Sequence, residues 1–201
     1  MKIIRESNEN EFVFNFLAGE LNSARFKDDL KKSLSLLNLS EFIITNANLG
    51  NEKENTLRKE LLGQFRGYGK NIDLFENFPQ IESYKLCEFT NDDLKNIYYI
   101  NYSYWNELSD YTSLPMVAAK NILNGKTIFD VSNESFLHGA EKIVNGEKFP
   151  PMIFLTYDYT SFIILEGHSR MTIFALQPDY FKNVQAFVLK CSKDELDKWN
   201  K

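Results

Sequence analysis

Apolar residues recur at helical spacing through the first part of the chain. Phe14, Phe16, Leu17 and Leu21 mark one helix over Phe12–Leu21. Phe26, Leu30, Leu34 and Leu37, spaced four, four and three, mark a second over Ala24–Leu37. Glu54–Phe65 is a third, ended by Gly67 and Gly69. Leu74–Lys85, with Pro79 inside, reads as loop. Thr90 before Asn91-Asp92-Asp93 is an N-cap with acids in the first turn. The helix predicted to follow carries Leu94, Ile97, Tyr98 and Trp105. Pro115 opens a helix over Met116–Leu123, closed by Gly125. Asn133 or Ser135 caps another through Phe136, Ala140, Ile143 and Val144, closed by Gly146.

The texture changes after Pro150-Pro151. Met152–Tyr157 and Thr160–Leu165 are two apolar, β-branched and aromatic runs joined by a short polar link, a predicted hairpin. Glu166-Gly167-His168-Ser169-Arg170 follows directly. Met171–Leu176 reads as a helix stopped before Pro178, and Val184–Lys190 as a third strand. Ser192-Lys193-Asp194-Glu195 is a capping box for a last helix near Leu196 and Trp199. The predicted class is α+β. A mostly helical region, 1–126, packs on a small mixed-sheet module, 127–201, as two segments or as one compact unit.

Composition narrows the function. The 201 residues contain no stretch of 18 apolar residues, so no membrane-spanning helix is predicted. The net charge of −5 does not favour nucleic-acid binding. That acidity lies in residues 1–150, while 151–201 are balanced. The opening residues Met1–Asn8 hold no apolar signal core, so a cytoplasmic location is expected, with Cys87 and Cys191 reduced. No metal site is indicated, because the two histidines and two cysteines show no ligand spacing.

Chemistry concentrates in Glu166–Arg170. The turn sits where a buried strand becomes a helix, and first-turn amides attract an anion. Gly167 lets a phosphate approach the backbone. Ser169 offers a hydroxyl, and Arg170 a fork-shaped cation. Glu166 suits a general base or a Mg²⁺ ligand, and His168 a proton shuttle. The expected set is catalytic Glu166 and His168 with ligand-binding Gly167, Ser169 and Arg170. Each also has a plain structural role open to it: turn glycine, ion-pair arginine, packed histidine, solvated carboxylate.

Two other segments stand out. Arg66-Gly67-Tyr68-Gly69-Lys70 is a basic glycine loop at a helix C-terminus, the wrong dipole end for phosphate, and reads as a Schellman-type stop. Glu20-Leu21-Asn22-Ser23-Ala24-Arg25 is a polar helix break without assigned chemistry. Among the aromatics (17 Phe, 10 Tyr, 2 Trp), Tyr98–Trp105 is the densest run. On a helix, Tyr98, Tyr102 and Trp105 would share a face that packs the hairpin, walls a nucleobase or meets a partner.

Ile164–Leu176 resembles the signature turn of the ParB/sulfiredoxin-like superfamily: a strand, G-x-x-R, then a helix of small and apolar residues. Ile143–Leu155 is similar to the element that precedes it, and Val184–Lys190 stands at the next strand, so the resemblance covers about 127–190. It implies a phosphate-binding fold. Partition ParB proteins hydrolyse CTP there, sulfiredoxin uses ATP, and free-serine kinases carry an acid, Gly, His, His, Arg at the turn. Glu166-Gly167-His168-Ser169-Arg170 is nearest to the last, with Ser169 at the second histidine's place. No cysteine stands between Gly167 and Arg170, as sulfiredoxin chemistry needs, and no basic helix-turn-helix follows. The implied ligand is a small phosphate compound, a nucleoside triphosphate with Mg²⁺ foremost. The implied function is nucleotide binding, with phosphotransfer or hydrolysis. The alternatives are a non-catalytic interaction module of a defence or toxin–antitoxin type, and a ParB-like nuclease.

Overall fold

The computed structural model describes residues 1–23 and 25–201; Ala24, at the start of the second predicted helix and inside the polar break, lies outside the described residues. One six-stranded mixed sheet organises the chain. Its order is β1 (Lys2–Glu6), β2 (Ser83–Thr90), β6 (Lys182–Lys190), β4 (Met152–Thr156), β5 (Phe162–Glu166), β3 (Ile97–Tyr98). The β6–β4 and β5–β3 pairs are parallel and the other three antiparallel. The fold is α+β, with helices on both faces of a mixed sheet.

Alternation along the central strands separates two cores. Met152, Phe154, Ile164, Ala186 and Val188 point to one face. There they meet α5 (Ser103–Leu108), α6 (Pro115–Leu123), α7 (Glu134–Val144) and α8 (His168–Leu176). Ile153, Leu155, Leu165, Phe187 and Leu189 point to the other. That face is covered by α1 (Glu9–Leu21), α2 (Lys27–Leu36), α3 (Phe42–Thr45), α4 (Glu52–Arg66) and α9 (Lys193–Trp199). Residues 1–126 thus supply three strands of the same sheet that 127–201 complete. Trp105 and Ala118 share a core with Phe136 and Phe174.

The hairpin, α8, β6 and the Ser192-capped α9 stand where the periodicity puts them, and Ser192 accepts from the Glu195 amide. Two predicted elements are corrected. The loop expected over Leu74–Lys85 gives way to β2 from Ser83. β2 sends Leu86 to one core and Cys87 and Phe89 to the other, so neither face shows clean alternation. The helix expected from Leu94 through Trp105 is instead a 3-10 turn (Asn91–Asn96), then β3, then α5. The cap itself forms: Thr90 N–H donates to Asp93 Oδ2 at 2.9 Å. Beyond it, Ile97 and Tyr98 pair with Phe162 and Ile163, and this sheet pairing overrides helical periodicity. β1 escaped notice because all five of its residues are exposed and its place is set by its ladder to β2.

Candidate functional site

β5 ends at Glu166 and α8 begins at His168, so Gly167 alone makes the turn. Its φ is +102°, a left-handed conformation that favours glycine. A Cβ there would stand 2.6 Å from Met152 Cγ. Met152 is buried, so the missing Cβ faces the interior. Gly167 is required by packing as well as by backbone shape. No side chain caps α8, and Ser169 is exposed at the second position of its first turn. The first amides of α8 therefore have no intrahelical partner.

Arg170 is pulled back across the turn. Its Nη1 donates to the carbonyls of Pro150 (2.8 Å) and Pro151 (2.9 Å), and its Nη2 pairs with the Glu166 carboxylate. The two side chains are 13% and 11% exposed. The arginine thus staples the segment before β4 to the start of α8. Of the roles foreseen for Arg170, the structure shows the ion pair.

Two segments distant in sequence converge here. A Cβ at Gly19 of α1 would lie 3.0 Å from Glu166 Cδ, so α1 runs directly against that carboxyl. The next residue, Glu20, is only 6% exposed. Its carboxyl is pushed up to about 8, first by burial and then by the neighbouring Glu166 charge; Arg66, Arg170 and Arg25 act against this. Arg66 Nη1 stands 4.0 Å from Glu20 Oε1, and Arg66 Nε donates to Asp73 Oδ2 at 3.1 Å. The guanidinium groups of Arg25 and Arg66 lie 4.8 and 4.7 Å from the centre of the Phe26 ring. Arg66 thus joins Glu20 to the Phe26 ring that Arg25 also covers, while Glu166 and Arg170 pair at the start of α8.

Glu20 and Arg66 come from the two segments that the sequence singled out without giving them this chemistry. The signal for Glu20 was present. Phe12, Val13, Phe16, Leu17 and Leu21 form the buried stripe of α1, and an acid at position 20 interrupts it. Arg66 does end a helix at a left-handed Gly67 (φ +85°), whose N–H donates to Gly63. Nothing in that spacing says which neighbours its guanidinium meets.

His168 takes a different course from the expected proton shuttle. Its ring stacks on Trp105 (centroids 5.4 Å, 13°) and lies near-parallel to Tyr99 (6.1 Å, 19°). Burial pushes its pKa down to about 3, helped by Arg170, Arg66 and Arg25. The ring is neutral at pH 7, and its sealed Nε2 has no hydrogen-bond partner among the described residues. Below it, Thr172 Oγ1 donates to the His168 carbonyl at 2.9 Å. That leaves the Tyr99 hydroxyl to donate to Thr172, at 2.7 Å.

The expected aromatic face changes its members. Tyr99 and Trp105 are buried behind the turn, while Tyr102 is 49% exposed. Tyr98 and Tyr99 also line a cleft of about 360 Å³ with Tyr157, Ser161, Lys193 and Asn200. It opens by the first residues of β5, whereas Glu166 is its last. Tyr99 thus lies between cleft and turn.

The described residues contain no cluster of three His, Cys, Asp or Glu able to hold a metal. Glu166 already faces a guanidinium, which competes with a cation for the same oxygen. The residues present do not fit a protein-held Mg²⁺. Among the described residues no helix is long and apolar enough to cross a membrane. Compared with known proteins, the chain matches no family model, no curated protein and no solved structure.

Proposed function

We propose that this chain binds a small phosphate-containing ligand, a nucleotide foremost, at the Glu166–Arg170 turn, as a ParB/sulfiredoxin-like module would. The observation that carries this reading is Arg170 held beside Glu166 at the uncapped start of α8, with helix α1 against that carboxyl, Arg66 reaching Glu20 of α1, and Arg25 sharing the Phe26 ring with Arg66. Guanidinium groups and first-turn amides are the two standard partners of a phosphate, and here they occur together. The order hairpin, glycine turn, helix and parallel strand supports the resemblance. Ligand phosphate would take Arg170 in exchange for Glu166, and the freed carboxylate would stand beside the phosphate as a general base.

A thermal-shift series with nucleoside di- and triphosphates, with and without Mg²⁺, tests this. At least one is expected to raise Tm. The exposed Arg25 supplies the clean variant: Arg25→Ala is expected to weaken binding about tenfold while leaving stability within about 0.5 kcal/mol. If no phosphate compound shifts Tm, the reading fails.

A second reading, binding without turnover, has its own support. Both expected catalytic side chains have structural duties, Glu166 to Arg170 and His168 to the aromatic stack. Phosphate release that Glu166→Gln abolishes favours the enzyme. Ligand binding with no release favours the module.

A further inference from the structure

Glu20 continues the buried stripe of α1 at the place of an apolar residue. Its carboxyl makes no hydrogen bond among the described residues, and its ion-pair partner there, Arg66, stands 4.0 Å away and also serves Asp73. The charged groups acting on it come from every side: Glu166 from the end of β5, Arg170 from α8, Arg66 from α4 and Arg25 from the segment after α1. His168, at the same end of α8, is neutral. A carboxylate buried in this way without a close partner lowers stability. Such costs persist where function needs the group.

We propose that Glu20 holds a proton beside Glu166 and donates it as a hydrogen bond to an oxygen of the phosphate group bound at the turn. This rests on the phosphate-site reading above. A buried carboxyl without a hydrogen-bond donor favours its neutral form, and Glu20 follows Gly19, which abuts the Glu166 carboxyl, so Glu20 keeps its proton there. Without it, Glu20 and Glu166 would present two negative charges to an anion. With it, one of them becomes a donor, and the three arginines supply the countercharge. The elevated proton affinity of Glu20 agrees with this geometry.

The full chain is compared with Glu20→Gln, which mimics the neutral carboxyl. An unfolded glutamate loses its proton near 4.5, the folded Glu20 near 8. Between these values the folded state binds more protons, so wild-type stability falls as pH rises. The glutamine variant is expected to gain on wild type by roughly 5–10 °C in Tm between pH 5 and pH 8.5. A constant gap overturns the proposal. NMR of ¹³C-labelled glutamate carboxyls in wild type needs no variant: one carboxyl titrating near pH 8 is expected, and all titrating below pH 6 overturns it.

Pyrophosphate is the ligand probe. The ratio of wild-type to Glu20→Gln affinity is expected to fall about tenfold from pH 6.5 to pH 9. A ratio flat with pH overturns the role of Glu20 and leaves the phosphate site standing. If pyrophosphate binds neither protein at any pH, the site itself falls, and the role of Glu20 with it.

Discussion

Arg58 and Arg170 are each tied to two backbone carbonyls, and they are tied in different ways. Arg58 of α4 is 1% exposed. Its Nη1 donates to Ile43 O (2.9 Å) and meets Glu54, and its Nη2 donates to Asn48 O (3.0 Å) and Asn55 Oδ1 (2.5 Å). One cation meets one partly exposed carboxylate and a ring of neutral acceptors. Arg170 also holds two carbonyls, but its carboxylate partner abuts helix α1, whose buried Glu20 stands 4.0 Å from another arginine, Arg66. The first arrangement locks α3 and its loop onto α4. The second holds more charge than its own geometry needs, and that surplus separates a candidate site from architecture.

The comparison can be broken by substitution. Arg58→Met is expected to cost most, about 3–5 kcal/mol in urea unfolding, because buried carbonyls and Asn55 lose their donor. Arg170→Met, at a partly exposed pair, is expected to cost about 1–3 kcal/mol. A reversed order would make the turn the structural keystone. Gly167→Ala is expected to cost about 2–4 kcal/mol, from the left-handed backbone and the clash with Met152. In a double-mutant cycle with Met152→Ala most of the clash component is expected to disappear, because only the Met152 Cβ, 3.0 Å away, remains. Additive losses would remove the packing explanation.

A pH series sharpens the contrast. His168 titrates near 6.5 when unfolded and near 3 when folded. The unfolded state therefore binds the extra proton in that window, and stability falls as pH drops from 6.5 towards 3. Glu20 acts in the opposite sense between 4.5 and 8, so the turn is expected to be most stable in mildly acidic solution. Tm of His168→Phe measured against pH is expected to lose the acid-side slope that wild type shows there; an unchanged slope assigns it to other groups. The smallest expected effect is Thr172→Val, about 1 kcal/mol from the lost hydroxyl between Tyr99 and the His168 carbonyl. Shifted His168 ring resonances would show the stack loosening.

Legibility differed along the chain. Glu166–Arg170 could be placed at a strand-to-helix turn because the apolar runs Phe162–Leu165 and Met171–Leu176 flank it, with a glycine among the polar residues between them. β3 could not, since two residues carry no period and their place depends on β5, more than sixty residues later. β2 was hidden by burial on both faces, and β1 by burial on neither. The site followed the same rule. Glu166, Gly167 and Arg170 are local, and the geometry that joins them spans five residues. Glu20 and Arg66 were visible only as an acid in a core stripe and a cation at a helix end.

By itself the sequence determined the α+β class, the hairpin, the glycine turn and the helices with a sustained apolar period. All of these depend on local periodicity and backbone preference. Tertiary structure alone decided that residues 1–126 contribute half the strands of a single sheet. It alone brought α1 and α4 to the turn, and turned His168 from a candidate proton carrier into a neutral ring in an aromatic stack. Proton affinity is set by burial and by the charges of distant segments, and neither is encoded by spacing along the chain.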